Sequence, residues 1–178
     1  MSESQANGEA VLAPIIVTAL FGAADFAWFD ALRRTHFPPE RNVLSAHLTL
    51  FHHLAPALAR ELKQRLTAET RDSPPPRAQV TGLMNLGRGV AFRIDSPELE
   101  AIRARLADAF APMLMPQDRA DWRPHVTVQN KVLPAEARAL HTQLASDFAP
   151  RPVAIAGLAS WWYRGGPWEP LSRHRFTP

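Results

Sequence analysis

The chain contains no cysteine, which excludes disulfide bonds and thiolate metal sites. It also lacks an apolar run near the roughly 20 residues that a membrane-spanning helix requires. The longest run, residues 11–21, is interrupted by a proline and a threonine. Residues 1–12 carry two glutamates and no basic residue, which is unlike a signal peptide. We therefore expect a cytoplasmic protein that does not bind membranes, with a disordered tail at residues 1–13.

Lysine is also scarce: it occurs only at Lys63 and Lys131, and arginine supplies the other positively charged side chains. The net charge of +3 is compatible with anionic ligands. It is too small to predict sequence-independent binding to duplex DNA. The 178 residues are 46% hydrophobic, enough to bury a core, so we expect one domain over residues 14–178 and a monomer.

The hydrophobic pattern predicts strands that alternate with helices. Strands are expected at 15–21, 43–54, 77–86, 90–94, 123–131, 152–163 and 168–176, and helices at 25–36, 56–71, 97–110 and 134–148. Asp25 is predicted to cap the first helix, and Ser96 with Pro97 to begin the third. One unit, a strand, a helix and a strand pair, occurs twice. The order therefore predicts an α+β fold of antiparallel sheets, duplicated about a pseudo-twofold axis.

Two short motifs, His47-Leu48-Thr49-Leu50 and His125-Val126-Thr127-Val128, share the pattern His, apolar, Thr, apolar. This alternation is typical of a half-buried strand, with His and Thr on one face. The motifs lie almost half the chain length apart, one in each predicted half. We expect their imidazoles to face each other across a cleft.

Two imidazoles on either side of a substrate suit in-line displacement at phosphorus, since one can accept a proton while the other donates one. The threonine hydroxyls and Lys131 could hold the non-bridging oxygens, and no metal or other cofactor is required. Alternation places Phe51 and His53 on the face of His47, and Arg123 lies just before the second motif. The cluster of Trp161, Trp162, Tyr163 and Trp168 could stack a nucleobase, with Trp168 the candidate from it.

Two alternatives remain open. The first is a non-catalytic module that binds RNA or a nucleotide and retains the groove without the chemistry. The second is a zinc-dependent hydrolase that uses His47, His52 or His53. Strand geometry disfavours the second, because adjacent residues point to opposite faces.

The paired motifs resemble those of the two-histidine (2H) phosphoesterases, the group that includes bacterial 2′-5′ RNA ligase-like proteins. The resemblance implies a bilobal fold, with two antiparallel sheets forming a central groove and helices on the outer faces. It also implies metal-independent opening of 2′,3′-cyclic phosphates on RNA ends or nucleotides, in some members reversible as 2′-5′ ligation. The catalytic pair then falls on His47 and His125, and the phosphate-binding hydroxyls on Thr49 and Thr127. Gln129-Asn130-Lys131 stands where the family often has arginine, so the substrate and ligation are left open.

Overall fold

The computed structural model describes residues 13–178, so residues 1–12 of the predicted tail lie outside the described part. Ala13, the last residue of that tail, is instead buried against the core. The strands are β1 (Ile15–Phe21), β2 (Leu48–Leu54), β3 (Arg77–Asn85), β4 (Val90–Asp95), β5 (His125–Gln129), β6 (Arg151–Trp162) and β7 (Glu169–Arg175). The α-helices are α1 (Ala23–His36), α2 (Ala59–Thr70), α3 (Pro97–Phe110), α4 (Pro116–Arg119) and α5 (Pro134–Ser146). Single 3₁₀ turns occur at Pro39–Arg41, Pro56–Leu58 and Ala111–Met113.

Within residues 13–178 every strand pairing is antiparallel, which confirms the predicted α+β class. The strands form two arrays, β2-β1-β6-β7 and β5-β4-β3-β6, joined through the long strand β6. Its first residues, 151–154, pair with β3, and the remainder pairs with β1 and β7. The motif strands β2 and β5 hold corresponding places, each at the outer edge of its array. Descent by duplication stays a prediction.

The helices cover the apolar side of the sheet. Leu62 and Leu66 of α2, together with Leu106 and Phe110 of α3, are almost inaccessible to solvent and join the strand residues in one core. Helix α3 begins as predicted, with the Ser96 hydroxyl accepting a hydrogen bond from the backbone N–H of Leu99. The cap of α3 is therefore a contact between residues close in sequence, whereas the packing of the core joins segments far apart in sequence.

Asp25 does not cap α1, contrary to the sequence prediction. The helix begins at Ala23, two residues earlier, so Asp25 lies inside its first turn. Its carboxylate accepts hydrogen bonds from the Arg151 side chain at 2.7 Å and from the backbone N–H of Ala154 at 2.8 Å. Asp25 thus ties α1 to β6, a tertiary role that a local capping rule cannot identify.

Strand β2 is shorter than predicted, and it is irregular. It begins at Leu48, so residues 43–47 form a loop and His47 lies immediately before the strand. Ile15 pairs with Leu54 and Val17 with Phe51, so two steps along β1 match three along β2. This extra residue is a β-bulge at His52 and His53. Val17 pairs with Phe51 and Thr18 with Thr49, so a second extra residue lies at Leu50, and the two irregularities break the alternation that the sequence prediction assumed.

Candidate active site

The two motif strands are both sheet edges, and side chains from elsewhere in the fold satisfy their backbone carbonyls. The indole N–H of Trp122 donates to the Thr49 carbonyl at 2.9 Å. The Arg33 guanidinium donates to the Thr127 carbonyl at 3.0 Å. A buried or half-buried edge carbonyl must find such a partner, because it has no neighbouring strand. These contacts hold β2 and β5 near each other without joining them as a ladder.

A cavity of about 370 Å³ lies between the two motif strands. His47 and Thr49 line it from the first motif, and His125 and Thr127 line it from the second. Its volume lies within the usual range for small-molecule sites, about 300–1,000 Å³. The structure therefore brings together the four residues that the sequence pairs only by pattern, and it gives them room for a phosphate-containing ligand.

Both imidazoles are oriented by the same local hydrogen bond. His47 Nδ1 lies 2.8 Å from the Ser45 carbonyl oxygen, and His125 Nδ1 lies 2.6 Å from the Arg123 carbonyl oxygen. A carbonyl oxygen can only accept, so each Nδ1 must carry the hydrogen. In the neutral ring the lone pair is therefore on Nε2, which is the nitrogen left to exchange protons with a ligand.

The electrostatic environment of His47 favours its neutral form. Burial lowers the pKa of His47 to about 4, although its hydrogen bond to the Ser45 carbonyl acts in the opposite direction. Positive charge on Arg33, His125 and His52 adds to the lowering. At neutral pH the His47 ring is thus an unprotonated acceptor.

Two further predicted site residues border the same cavity. Arg123 lines it beside His125, and Trp168 lines it from the loop between β6 and β7. The Trp168 ring meets the His47 ring in a T-shaped contact, with centroids 4.7 Å apart. Trp168 therefore forms a wall of the cavity and also limits the movement of the His47 ring.

Three predicted substrate contacts lie elsewhere. Phe51 is fully buried, with the Arg103 guanidinium 4.7 Å from its ring centroid, so it belongs to the core. His53 is exposed but does not line the cavity, because the irregular register of β2 brings His52 there in its place. Lys131 follows the end of β5 at φ 64 and borders a separate surface cavity.

Sequence reasoning missed Arg33, which is only 4% exposed. Besides Thr127, it donates to the Asn42 side chain at 2.8 Å and to the Leu44 carbonyl at 2.9 Å. It therefore links α1 to the loop that carries His47 and to the strand of the second motif. Its position at helical spacing between Phe29 and Phe37, both buried, was the available signal.

A second cavity of about 570 Å³ adjoins the first. His47 and Trp168 line both cavities, and Trp161 and Phe26 contribute aromatic surface to the second. Arg173 also lines it and lies 5.1 Å from the Trp161 ring centroid. A planar aromatic group attached to a phosphate in the first cavity could occupy this space.

Within residues 13–178, no three His, Asp or Glu side chains are grouped so that they could hold a metal ion. The histidines of the zinc alternative, His47, His52 and His53, thus form no such group. No helix in this part of the chain is long and apolar enough to cross a membrane.

Comparison with known proteins identifies the family and the fold of the chain. The family model of the 2′-5′ RNA ligase superfamily matches residues 22–167. Among solved structures, TT0787 of Thermus thermophilus has 16% identity and a TM-score of 0.62, covering 92% of this chain and 97% of its own. Escherichia coli LigT complexed with 3′-AMP has 19% identity and a TM-score of 0.62, and the match covers 94% of this chain and 99% of LigT. At such identities the structures show a shared fold. No curated protein sequence matches.

Proposed function

The chain belongs to the 2′-5′ RNA ligase superfamily of 2H phosphoesterases, and from this premise we propose that it opens 2′,3′-cyclic phosphates of RNA ends or nucleotides. An activity of the phosphoesterase or ligase kind follows from the family. The observation that supports the more specific proposal is the shared orientation of His47 and His125, with Nδ1 bound to a carbonyl and Nε2 available in one cavity.

In the proposed reaction, His47 is the base and His125 is the acid. His47 Nε2 accepts a proton from water as the water oxygen attacks phosphorus. The bond from phosphorus to the 3′ oxygen breaks, and His125 Nε2–H donates a proton to that oxygen, which yields a 2′-phosphomonoester. The hydroxyls of Thr49 and Thr127 stabilise the charge on the non-bridging oxygens. With a ribose 5′-hydroxyl in place of water, the same groups would form a 2′-5′ bond as the bond from phosphorus to the 3′ oxygen breaks, and the reverse of that step would regenerate the cyclic phosphate.

A nucleotide is the proposed substrate because the adjoining cavity has aromatic walls. Trp161 and Trp168 offer flat surfaces of the kind on which nucleobases stack. LigT, which shares this fold, has been solved in complex with a nucleotide, 3′-AMP. A base in the second cavity and a phosphate in the first would place the reacting ester beside His47.

We expect the purified protein to convert a nucleoside 2′,3′-cyclic phosphate to the 2′-phosphate with a chelator present, because two imidazoles supply the proton transfers without a metal. Phosphorus NMR or chromatography against 2′- and 3′-phosphate standards measures the product. Binding of the cyclic nucleotide without turnover would instead favour the non-catalytic binding module. Loss of turnover on chelation would contradict the metal-independent mechanism.

We expect kcat/KM to fall on the acid side only near pH 4. A base must be unprotonated, and burial lowers the pKa of His47 to about 4, so activity should persist through pH 5 and decline as the pH drops through this value. Initial rates in buffers of constant ionic strength measure the profile. An acid limb centred near the ordinary imidazole value of about 6.5 would contradict the assignment of His47 as the base.

A further inference from the structure

A third histidine lines the candidate catalytic cavity, and the two-histidine reaction assigns it no role. His52 lies in the bulge of β2 and borders the cavity that contains His47 and Thr49. Thr49 pairs with Thr18 of β1, Phe51 with Val17 and Leu54 with Ile15, so His52 lies between about 3 and 10 Å beyond Thr49 along β2, at about 3.3 Å per residue of β1. This separation favours a contact with a group next to the reacting phosphate rather than with that phosphate itself.

Asp118 orients the His52 ring. Its side chain is fully buried, and its Oδ1 lies 3.0 Å from His52 Nδ1. The same carboxylate accepts hydrogen bonds from the backbone N–H groups of His52 and His53, each at 2.9 Å. Burial alone would raise the pKa of Asp118, but these hydrogen bonds hold it below its usual value, so the group is ionised. A carboxylate only accepts, so His52 Nδ1 donates and Nε2 is left for the cavity.

The charge of the cavity favours an anion at this position. Arg103 and Arg123 line it together with His52, and Asp121 is its one acidic lining residue in the described part of the chain. Arg103 also donates to the Asp118 backbone carbonyl at 2.7 Å, which fixes the segment that carries the carboxylate. A protonated His52 can donate from Nδ1 to Asp118 and from Nε2 to a second anion.

We propose that His52, oriented by Asp118, forms a second phosphate subsite for the group on the 5′ oxygen of the nucleotide whose cyclic phosphate is opened. The inference rests on the proposed function, because that function identifies the phosphate held between His47 and His125. The preferred ligand then carries two phosphates. The second can be the phosphodiester of an RNA end or the 5′-monophosphate of a free nucleotide, which present the same anionic oxygens.

The test measures affinity by calorimetry. Three ligands are compared: a nucleoside 2′-monophosphate, its 2′,5′-bisphosphate, and a dinucleotide that ends in a 2′-phosphate. We expect the wild type to bind at least one of the latter two about tenfold more tightly than the monophosphate, as expected for one hydrogen bond between charged groups. A gain in affinity for the dinucleotide alone identifies the phosphodiester of an RNA end as the ligand of the subsite. A gain for both ligands shows that the subsite accepts any 5′-phosphate.

His52→Asn retains an N–H donor for Asp118 and removes Nε2. We expect this variant to lose most of the tenfold preference and to bind the monophosphate within about twofold of the wild type. His53→Asn, at the exposed neighbouring position outside the cavity, is the matched control and should retain the preference. A wild type without preference, or a His52→Asn variant that retains it, would overturn the subsite. Absent turnover of cyclic nucleotides would count against the proposed function alone, because affinity does not depend on turnover.

Discussion

Replacing His47 or His125 by Ala should lower kcat for a nucleoside 2′,3′-cyclic phosphate by about 10³-fold. Each variant loses one of the two proton transfers, and a positioned acid or base contributes about 10²–10⁴-fold. The double variant should be no slower than the slower single variant, because the two groups act in one step. Steady-state rates at neutral pH, with circular dichroism as a check on folding, measure this effect.

His53→Ala is the matched control for this prediction. The residue is exposed and lies outside the cavity, so its removal should change kcat by less than about twofold. A loss below about tenfold in either His47→Ala or His125→Ala would contradict the two-histidine mechanism. Multiplicative losses in the double variant would show that the histidines act in separate steps.

Arg33→Met should lower the free energy of unfolding by about 3 kcal/mol, because it leaves the carbonyls of Leu44 and Thr127 without their donor. Denaturant unfolding measures this change. The substitution also removes a positive charge that lowers the pKa of His47, so the acid limb of the rate profile should move to higher pH. A purely structural role for Arg33 would leave that limb in place.

Arg34→Met is the control for Arg33. Its side chain is 69% exposed and pairs with Asp30 at the helix surface, so we expect its loss to change stability by less than about 0.5 kcal/mol. A similar destabilisation by the two substitutions would show that the buried hydrogen bonds of Arg33 add little. If Arg33→Met is destabilised but its rate profile is unchanged, Arg33 contributes to folding and does not set the pKa of His47.

The sequence predicted the class of fold and several local features for identifiable reasons. Alternating apolar residues predicted both motif strands, and Ser96 before Pro97 predicted the start of α3. Asp25 was misassigned because a capping rule considers only the adjacent turn, whereas its partners are on β6. His53 was preferred over His52 because strict alternation leaves no place for a bulge.

Features that arise within a few residues could be predicted from the chain alone: the alternation within each motif and the start of α3. Three features depend on the folded chain: the two motifs share one cavity, Arg33 reaches a carbonyl on β5, and Asp118 orients His52. The two groups of features differ in the sequence separation of the residues that make them. Local backbone preferences depend on neighbouring side chains, whereas these contacts form only when the buried core brings distant segments together.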